Sequence, residues 1–156
     1  MSYIHLTTFI EAPLDRVFDL SRSIALHKFS MRDHEEQVIN GTMQGLMNLN
    51  DSVTWKAKHL FKIRTLEIKI TQMQRPDFFV DEQVKGDFRS LKHEHYFKSI
   101  ENGTIMIDQF RYELKGFMQK LVNSMYLEKY MIRLLEKRNA AIKLAAEGNQ
   151  WKQFLN

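Results

Sequence analysis

The feature that most constrains the fold is a long stretch, residues 117–147, that contains neither glycine nor proline. It is rich in Leu, Met, Lys, Glu and Ala, which are good helix formers, and as one helix it would extend roughly 46 Å. Its apolar residues recur at steps of three, four and seven, which places them on one stripe: Leu121, Met125, Ile132, Leu135 and Ile142. A lone helix cannot bury this stripe, so we expect the helix to lie across a sheet and to end at Gly148.

A sheet is predicted by residues 34–114, where short runs of β-branched and aromatic residues are separated by turn signals. The turn signals are Asn40-Gly41, Arg75-Pro76-Asp77, Lys85-Gly86-Asp87 and Asn102-Gly103. After a first strand at 3–11, strands are expected near 34–41, 51–59, 62–74, 78–85, 88–100 and 104–114. Because short turns join consecutive strands, the strands should pair antiparallel as a meander.

Two short helices are predicted between the first and second strands. Pro13 suits the first position of a helix, and Ser23 is a good N-cap for a second helix that runs to about Phe29. The sequence therefore predicts an α+β fold, in which a curved antiparallel sheet of about seven strands packs against one long C-terminal helix. We expect a single domain, residues 1–148, and a tail, residues 149–156, that either folds back or meets another subunit.

Composition narrows the range of partners. The net charge is +4, and basic residues are interleaved with acidic ones without a basic arm, which argues against nucleic-acid binding. The chain has no cysteine, which excludes disulfides, thiol catalysis, iron–sulfur clusters and Cys-based zinc sites. The first residues lack the features of a secretory signal, and no window approaches ~20 apolar residues. We therefore expect a cytoplasmic monomer or weak homodimer without integral membrane association.

Several local motifs accompany this order of elements: Glu11-Ala12-Pro13-Leu14-Asp15-Arg16-Val17-Phe18, Val53-Thr54-Trp55-Lys56-Ala57, Phe78-Phe79-Val80-Asp81-Glu82-Gln83, Gly86-Asp87-Phe88, His93-Glu94-His95 and Thr104-Ile105-Met106-Ile107-Asp108. Together they resemble the START-type, or SRPBCC, superfamily, which includes the birch pollen allergen, polyketide cyclases and coenzyme-Q-binding proteins. The motifs are most similar to a bacterial branch of largely unassigned function. The resemblance implies a helix-grip fold, with a hollow between sheet and long helix that usually holds an apolar ligand.

Strand parity indicates which side chains face this hollow. With two-residue loops at Asn102-Gly103 and Gly86-Asp87, both Tyr112 and Val80 would lie opposite His93. The inward face of these three strands would then consist of Phe78, Val80, Glu82, Val84, Leu91, His93, His95, Phe97, Met106, Asp108, Phe110 and Tyr112. A one-residue slip would invert a strand, which we expect to be costly. The remaining predicted lining residues are Trp55 and His59 from an earlier strand and Leu121 and Met125 from the long helix.

Four residues of this inward face are polar or charged: Glu82, His93, His95 and Asp108. Buried carboxylates and imidazoles need partners, so we expect a network that pairs internally and orients the head group of a ligand. A second interpretation is a metal site, because His-x-His on a strand places two imidazoles on one face. The Gly- and Pro-rich surroundings of cupin metal sites are missing, so we expect no metal and no other cofactor. A third interpretation is acid–base catalysis by the same four residues.

The sequence thus favours binding of a small hydrophobic ligand, lipid-, quinone- or polyketide-like, over catalysis. An enzyme of the cyclase, dehydratase or hydrolase type is the first alternative, since polyketide cyclases and dehydratases of the resembling fold work in such cavities. A protein-interaction module is the second alternative, and it would have a closed or filled cavity.

Overall fold

The computed structural model describes residues 1–156 as one antiparallel sheet of seven strands with helices packed on its inner face. The strands are β1 (Ser2–Ile10), β2 (Gln37–Gly41), β3 (Ser52–His59), β4 (Lys62–Gln74), β5 (Phe78–Lys85), β6 (Phe88–Ile100) and β7 (Gly103–Leu114). The helices are α1 (Leu14–Ser21), α2 (Ile24–Ser30), α3 (Gly116–Leu121), α4 (Ser124–Glu147) and α5 (Trp151–Phe154), with a 3-10 turn at Arg32–His34. The order β1-β7-β6-β5-β4-β3-β2 is a meander to which β1 adds at the β7 edge. The predicted fold class, a helix-grip fold, is confirmed.

The long C-terminal helix begins later than predicted. The chain forms α3, leaves the helical conformation at Val122 and Asn123, and starts α4 at Ser124. The Asn123 side chain accepts hydrogen bonds from the backbone N–H groups of Met125 and Tyr126, at 3.0 and 3.2 Å. Asparagine is among the strongest N-cap residues, so one side chain divides a stretch that otherwise favours a continuous helix. No helix of the structure has both the length and the apolar surface needed to cross a membrane.

The main core lies between the sheet, α1 and the C-terminal half of α4. Phe18 of α1 is fully buried and contacts Phe79 and Phe97 edge to face, with ring centroids 5.6 and 5.2 Å apart. Ile142, Ala145 and Ala146 of α4 pack in the same cluster. Burial of each large apolar side chain contributes roughly 1.5–3 kcal/mol to the stability of the fold, so sheet and helix are packed firmly together at this end. The space under the N-terminal half of α4 is filled less completely.

The last residues fold back on the helical side of the domain. Ser23 donates a hydrogen bond to the carbonyl oxygen of Phe154 at 3.0 Å, while its hydroxyl oxygen caps α2 by accepting from Leu26 at 3.2 Å. The guanidinium carbon of Arg16 lies 4.2 Å from the centre of the Trp151 ring, a cation–π contact. In this chain the tail therefore covers α1 and α2 with its own apolar side chains.

The strand register differs from the expected one in both hairpins. In the β6–β7 pair His93 lies opposite Phe110 and His95 opposite Asp108, a shift of two residues that leaves every side chain on its expected face. In the β5–β6 pair Asp81 lies opposite His93, a shift of one residue that inverts β5. The physical reason in the β6–β7 pair is that the two-residue loop is Glu101-Asn102, since Ile100 pairs with Gly103. Between β5 and β6 the reason is that the connection is not a two-residue loop. The β5–β6 ladder ends at Glu82 and Lys92, and β6 has a bulge against β7 between Phe88 and Ser90.

Candidate functional site

A cavity of about 270 Å³ lies between the inner face of the sheet and the N-terminal half of α4. Most of its wall is apolar. Examples from the sheet and from α4 are Trp55, Ile70, Phe79, Leu91, Phe110 and Leu135. Polar side chains reach the wall at several places. We call Asp81, His93 and His95 the polar wall, and His59, Arg64, Asp87 and Tyr130 the outer polar group.

The polar wall is built by neighbouring strands. His93 and His95 are two residues apart on β6, so both imidazoles point to the same face, with ring centroids 3.7 Å apart. The inverted β5 brings Asp81 to this face, opposite His93. His95 Nε2 donates a hydrogen bond to Asp81 Oδ2 at 2.6 Å, and all three side chains are buried. The wall thus presents a hydrogen-bonded carboxylate–imidazole pair and a second imidazole to the cavity.

A second layer of polar residues supports the polar wall from the side of β7 and α4. Asp108 is fully buried and accepts hydrogen bonds from His93 Nε2 at 2.8 Å, Asn139 Nδ2 at 2.7 Å and Arg138 at 3.2 Å. His95 Nδ1 lies 3.3 Å from the same carboxylate and 3.2 Å from an Arg138 nitrogen. Asp108 therefore lies against one ring nitrogen of each imidazole, His93 Nε2 and His95 Nδ1, which we call the rear nitrogens. Asp81 contacts the other ring nitrogen of His95, Nε2.

Burial and partners set the charges of this cluster. Burial would raise the pKa of Asp108, but hydrogen bonds from His93 and His95 and the Arg138 charge hold it well below its ordinary value. Burial would likewise raise the pKa of Asp81, but the hydrogen bond and charge of His95 lower it. Burial lowers the pKa of His93 to about 4, assisted by the nearby His95. Near neutral pH the cluster therefore contains two carboxylates, the Arg138 guanidinium and a neutral His93.

The outer polar group lies far from the polar wall along the strands. Arg64 is six residues from Ile70, the β4 partner of Asp81, which corresponds to roughly 20 Å of strand. Arg64 donates a hydrogen bond to Asp87 at 2.6 Å, and the pair is partly exposed. His59 and the Tyr130 hydroxyl are hydrogen-bonded at 2.7 Å. The cavity wall also contains Arg138 and the His27–Glu36 pair, and the His27 ring stacks on Trp55.

The structure places the sequence-predicted residues in three groups. Those in the cavity wall are Trp55, His59, His93, His95 and Phe110. Those buried behind the wall, in the core or the second layer, are Phe97, Met106, Asp108 and Tyr112. Those that lie elsewhere are Phe78, Val80, Glu82, Leu121 and Met125.

The predicted lining residues that lie elsewhere were placed wrongly for two reasons, the register of β5 and the start of α4. The prediction for Phe78, Val80 and Glu82 is wrong, because the one-residue shift of β5 exchanges them for Phe79 and Asp81. Glu82 pairs with Lys92 on the opposite face of the sheet. Leu121 and Met125 are 79% and 68% exposed, because the chain leaves the helix between them and turns their sides to solvent.

Sequence reasoning also missed Arg138 and Asn139, although a signal for them exists. Leu135, Arg138, Asn139 and Ile142 follow the steps i, i+3, i+4 and i+7, which is the spacing of one buried helix face. Two polar residues on such a face require buried partners. They therefore indicate, from sequence alone, a charged group on the sheet opposite them.

No protein-family model matches this chain, and neither does any curated protein. Solved structures do match. Protein TTHA0849 from Thermus thermophilus is similar with a TM-score of 0.70 and 19% identity, over 94% of this chain and 100% of that one. Ara h 8.0201 is similar with a TM-score of 0.69 and 8% identity, over 93% of this chain and 97% of the other.

The di-domain ARO/CYC StfQ from the steffimycin biosynthetic pathway is also similar, with a TM-score of 0.74 and 10% identity. The match covers 93% of this chain and 50% of that two-domain protein. Together with the seven-stranded curved sheet and the long C-terminal helix, these likenesses show that the chain has the helix-grip fold.

Proposed function

We propose that this protein binds a small, mostly apolar molecule in the cavity between the sheet and α4, with a polar head on the polar wall. The observation that carries the proposal is the division of the cavity lining. Apolar side chains form most of the wall, and Asp81, His93 and His95 supply donors and acceptors at one defined place. Apolar walls with a few placed polar groups are typical of ligand sites.

The size of the cavity favours a compact ligand. Its volume of about 270 Å³ is close to the lower end of the ~300–1,000 Å³ range typical of small-molecule sites. A quinone-like or polyketide-like molecule of one or two rings, or a short-chain lipid, fits this range. The fold shared with the ARO/CYC protein supports a function that uses the cavity. An open cavity also favours a ligand over a protein-interaction module, which would have this space filled.

A cavity-filling substitution tests the proposal. Ala57 is buried in the cavity wall, so Ala57→Phe should occupy ligand space, whereas Ala25→Phe places the same ring on the exposed side of α2. We expect the fluorescent probe 1-anilinonaphthalene-8-sulfonate to bind the wild type and the control alike, and the Ala57→Phe protein at least tenfold more weakly. Mass spectrometry of organic extracts of the purified protein should identify a co-purified ligand. Absence of an extracted ligand together with equal probe binding by all three proteins would contradict the proposal.

A second candidate function is acid–base catalysis on a hydrophobic substrate. The observation that favours it is the Asp81–His95 pair, hydrogen-bonded at 2.6 Å on the wall of an apolar cavity. A carboxylate that orients an imidazole is a common arrangement of a general base. The expected reaction class is a cyclisation, dehydration or hydrolysis.

The two functions make different predictions for His95→Asn. If the pair is catalytic, the variant should lose at least 100-fold in turnover of a panel of hydrophobic ketones and esters and still bind the fluorescent probe. His34→Asn, which changes a histidine outside the cavity wall, serves as the matched control. Equal turnover by His95→Asn and wild type, or no turnover by the wild type across the panel, would reject catalysis and leave the binding function in place.

A further inference from the structure

The polar wall has a property that ligand binding does not require. Asp81, His93 and His95 each offer one ligand atom of the kind that metal ions use, and these atoms lie within 4.8 Å of one another. The set is two imidazoles and one carboxylate, all buried and all in the cavity wall. Two histidines and one carboxylate are a recurrent ligand set of non-haem iron and zinc sites.

The hydrogen bonds behind the wall favour the same interpretation. A metal-bound histidine normally donates its other ring N–H to a carboxylate, which fixes its tautomer and orientation. Here one carboxylate, Asp108, lies against the rear nitrogens of both imidazoles, at 2.8 Å from His93 Nε2 and 3.3 Å from His95 Nδ1. Asn139 and Arg138 in turn hold Asp108 in place.

The ring nitrogens on the side away from Asp108, His93 Nδ1 and His95 Nε2, are the ones that a metal ion would use. With Nε2 of His93 donating to Asp108, its Nδ1 carries the lone pair, and no protein group is hydrogen-bonded to this atom. His95 Nε2 is already 2.6 Å from Asp81 Oδ2. The ion would displace the proton of this hydrogen bond, and the tautomer of His95 protonated at Nδ1 would donate to Asp108, 3.3 Å away. Metal–ligand bonds of ~2.1 Å require ligand atoms roughly 3–3.5 Å apart, so small side-chain rotations close the site.

The charge of the cluster suits a cation. The cluster holds two carboxylates, Asp81 and Asp108, and one guanidinium, that of Arg138. Arg138 donates a hydrogen bond to Asp108 and lies 3.2 Å from His95 Nδ1, and it has no hydrogen bond to Asp81. A divalent ion between Asp81 and the two imidazoles would therefore compensate the second carboxylate without displacing the arginine.

We propose that Asp81, His93 and His95 bind a divalent first-row transition-metal ion, with Asp108 as the carboxylate that orients both histidines. Three protein ligands leave at least one coordination position of the ion for a molecule in the cavity. The site goes beyond the proposed binding function, because it supplies a Lewis acid to the polar wall. It does not depend on the identity of the apolar ligand.

Cobalt(II) is a suitable probe, because its visible absorption reports both binding and ligand set. Protein stripped with EDTA would be titrated with Co²⁺ alone. We expect saturable d–d bands with one ion per chain in the wild type and in His34→Gln, a control that changes a histidine stacked on His59 and outside the polar wall. Asp81→Asn and His95→Gln should each weaken Co²⁺ binding at least 100-fold, and Asp108→Asn should weaken it by about 10- to 100-fold.

Absence of d–d bands in the folded wild type at a 100-fold excess of Co²⁺ would overturn the proposal, as would full binding by Asp81→Asn and His95→Gln. If a variant fails to fold, imidazole NMR signals of the wild type decide. Paramagnetic shifts at His93 and His95 support the site, and shifts confined to His27, His34 and His59 overturn it. Binding of the fluorescent probe to EDTA-treated protein reports separately on the proposed ligand function.

Discussion

At the scale of single residues, the candidate site depends on Asp108. This carboxylate is fully buried and has four polar partners from β6 and α4, so its charge is balanced by contacts that no solvent can replace. The balance is mutual, because Arg138 is also buried and directs its guanidinium to Asp108. Breaking a buried pair leaves an uncompensated charge, which costs far more than an exposed pair contributes.

This balance predicts the effect of Arg138→Met. The substitution retains much of the side-chain volume but leaves the Asp108 carboxylate without its cation. We expect the free energy of unfolding in urea near neutral pH to fall by about 3–5 kcal/mol. Arg133→Met, which makes the same exchange at an exposed position of α4, should change it by less than about 0.5 kcal/mol. A loss below about 1 kcal/mol for Arg138→Met would show that the ion pair does not stabilise the fold.

At the scale of secondary-structure elements, the start of α4 determines which part of the C-terminal segment covers the cavity. The Asn123 cap ends the preceding turn and lets Leu127, Tyr130 and Leu135 of α4 face the sheet. We expect Asn123→Ala to reduce the free energy of unfolding by about 1 kcal/mol, the usual cost of removing an N-cap side chain. Asn149→Ala, beyond the end of α4, is the matched control. Equal thermal unfolding curves for wild type and Asn123→Ala would contradict this role.

The elements differ in how far they were predictable. The strands and the α2 cap at Ser23 follow from local signals, and they match the structure to within a few residues. The position of Asp81 was not predictable from turn residues, because the β5 register depends on where its ladder with β6 breaks off, at Glu82 and Lys92. Such a break is set by packing of neighbouring strands, and a one-residue error in it exchanges the two faces of a strand. The same reasoning found His93 and His95 correctly, because a shift of two residues preserves the face.

At the scale of the whole molecule, histidines held neutral lie both in the polar wall and in the outer polar group. Burial lowers the pKa of His93 and of His59 to about 4. An unfolded chain binds protons at such residues from about pH 6.5 downward, whereas the folded chain does not until about pH 4. The fold is therefore expected to have the full contribution of these residues above about pH 6.5 and to lose it progressively as the pH falls towards about 4.

His59→Gln tests this dependence at the place farther from the polar wall. The charged groups that act on His59 are His34, Glu36, Arg64 and His27, and Tyr130 is its hydrogen-bond partner. Between about pH 7 and pH 4 we expect the free energy of unfolding to fall in both proteins, and to fall by about 1 kcal/mol less in the variant than in the wild type. The difference is small because His59 is partly exposed. Urea unfolding at a series of pH values measures the two slopes. Parallel slopes would show that His59 does not contribute to the acid sensitivity.

The irregular connection between β5 and β6 makes loop length a determinant of the cavity surface. If one residue added to or removed from the segment 83–89 moved β5 by one position against β6, Val80 and Glu82 would take the places of Phe79 and Asp81. The chemistry of the wall would change without any substitution in a strand. For engineering on this scaffold, indels in one short connection are therefore a route to new specificities that point mutagenesis libraries do not sample.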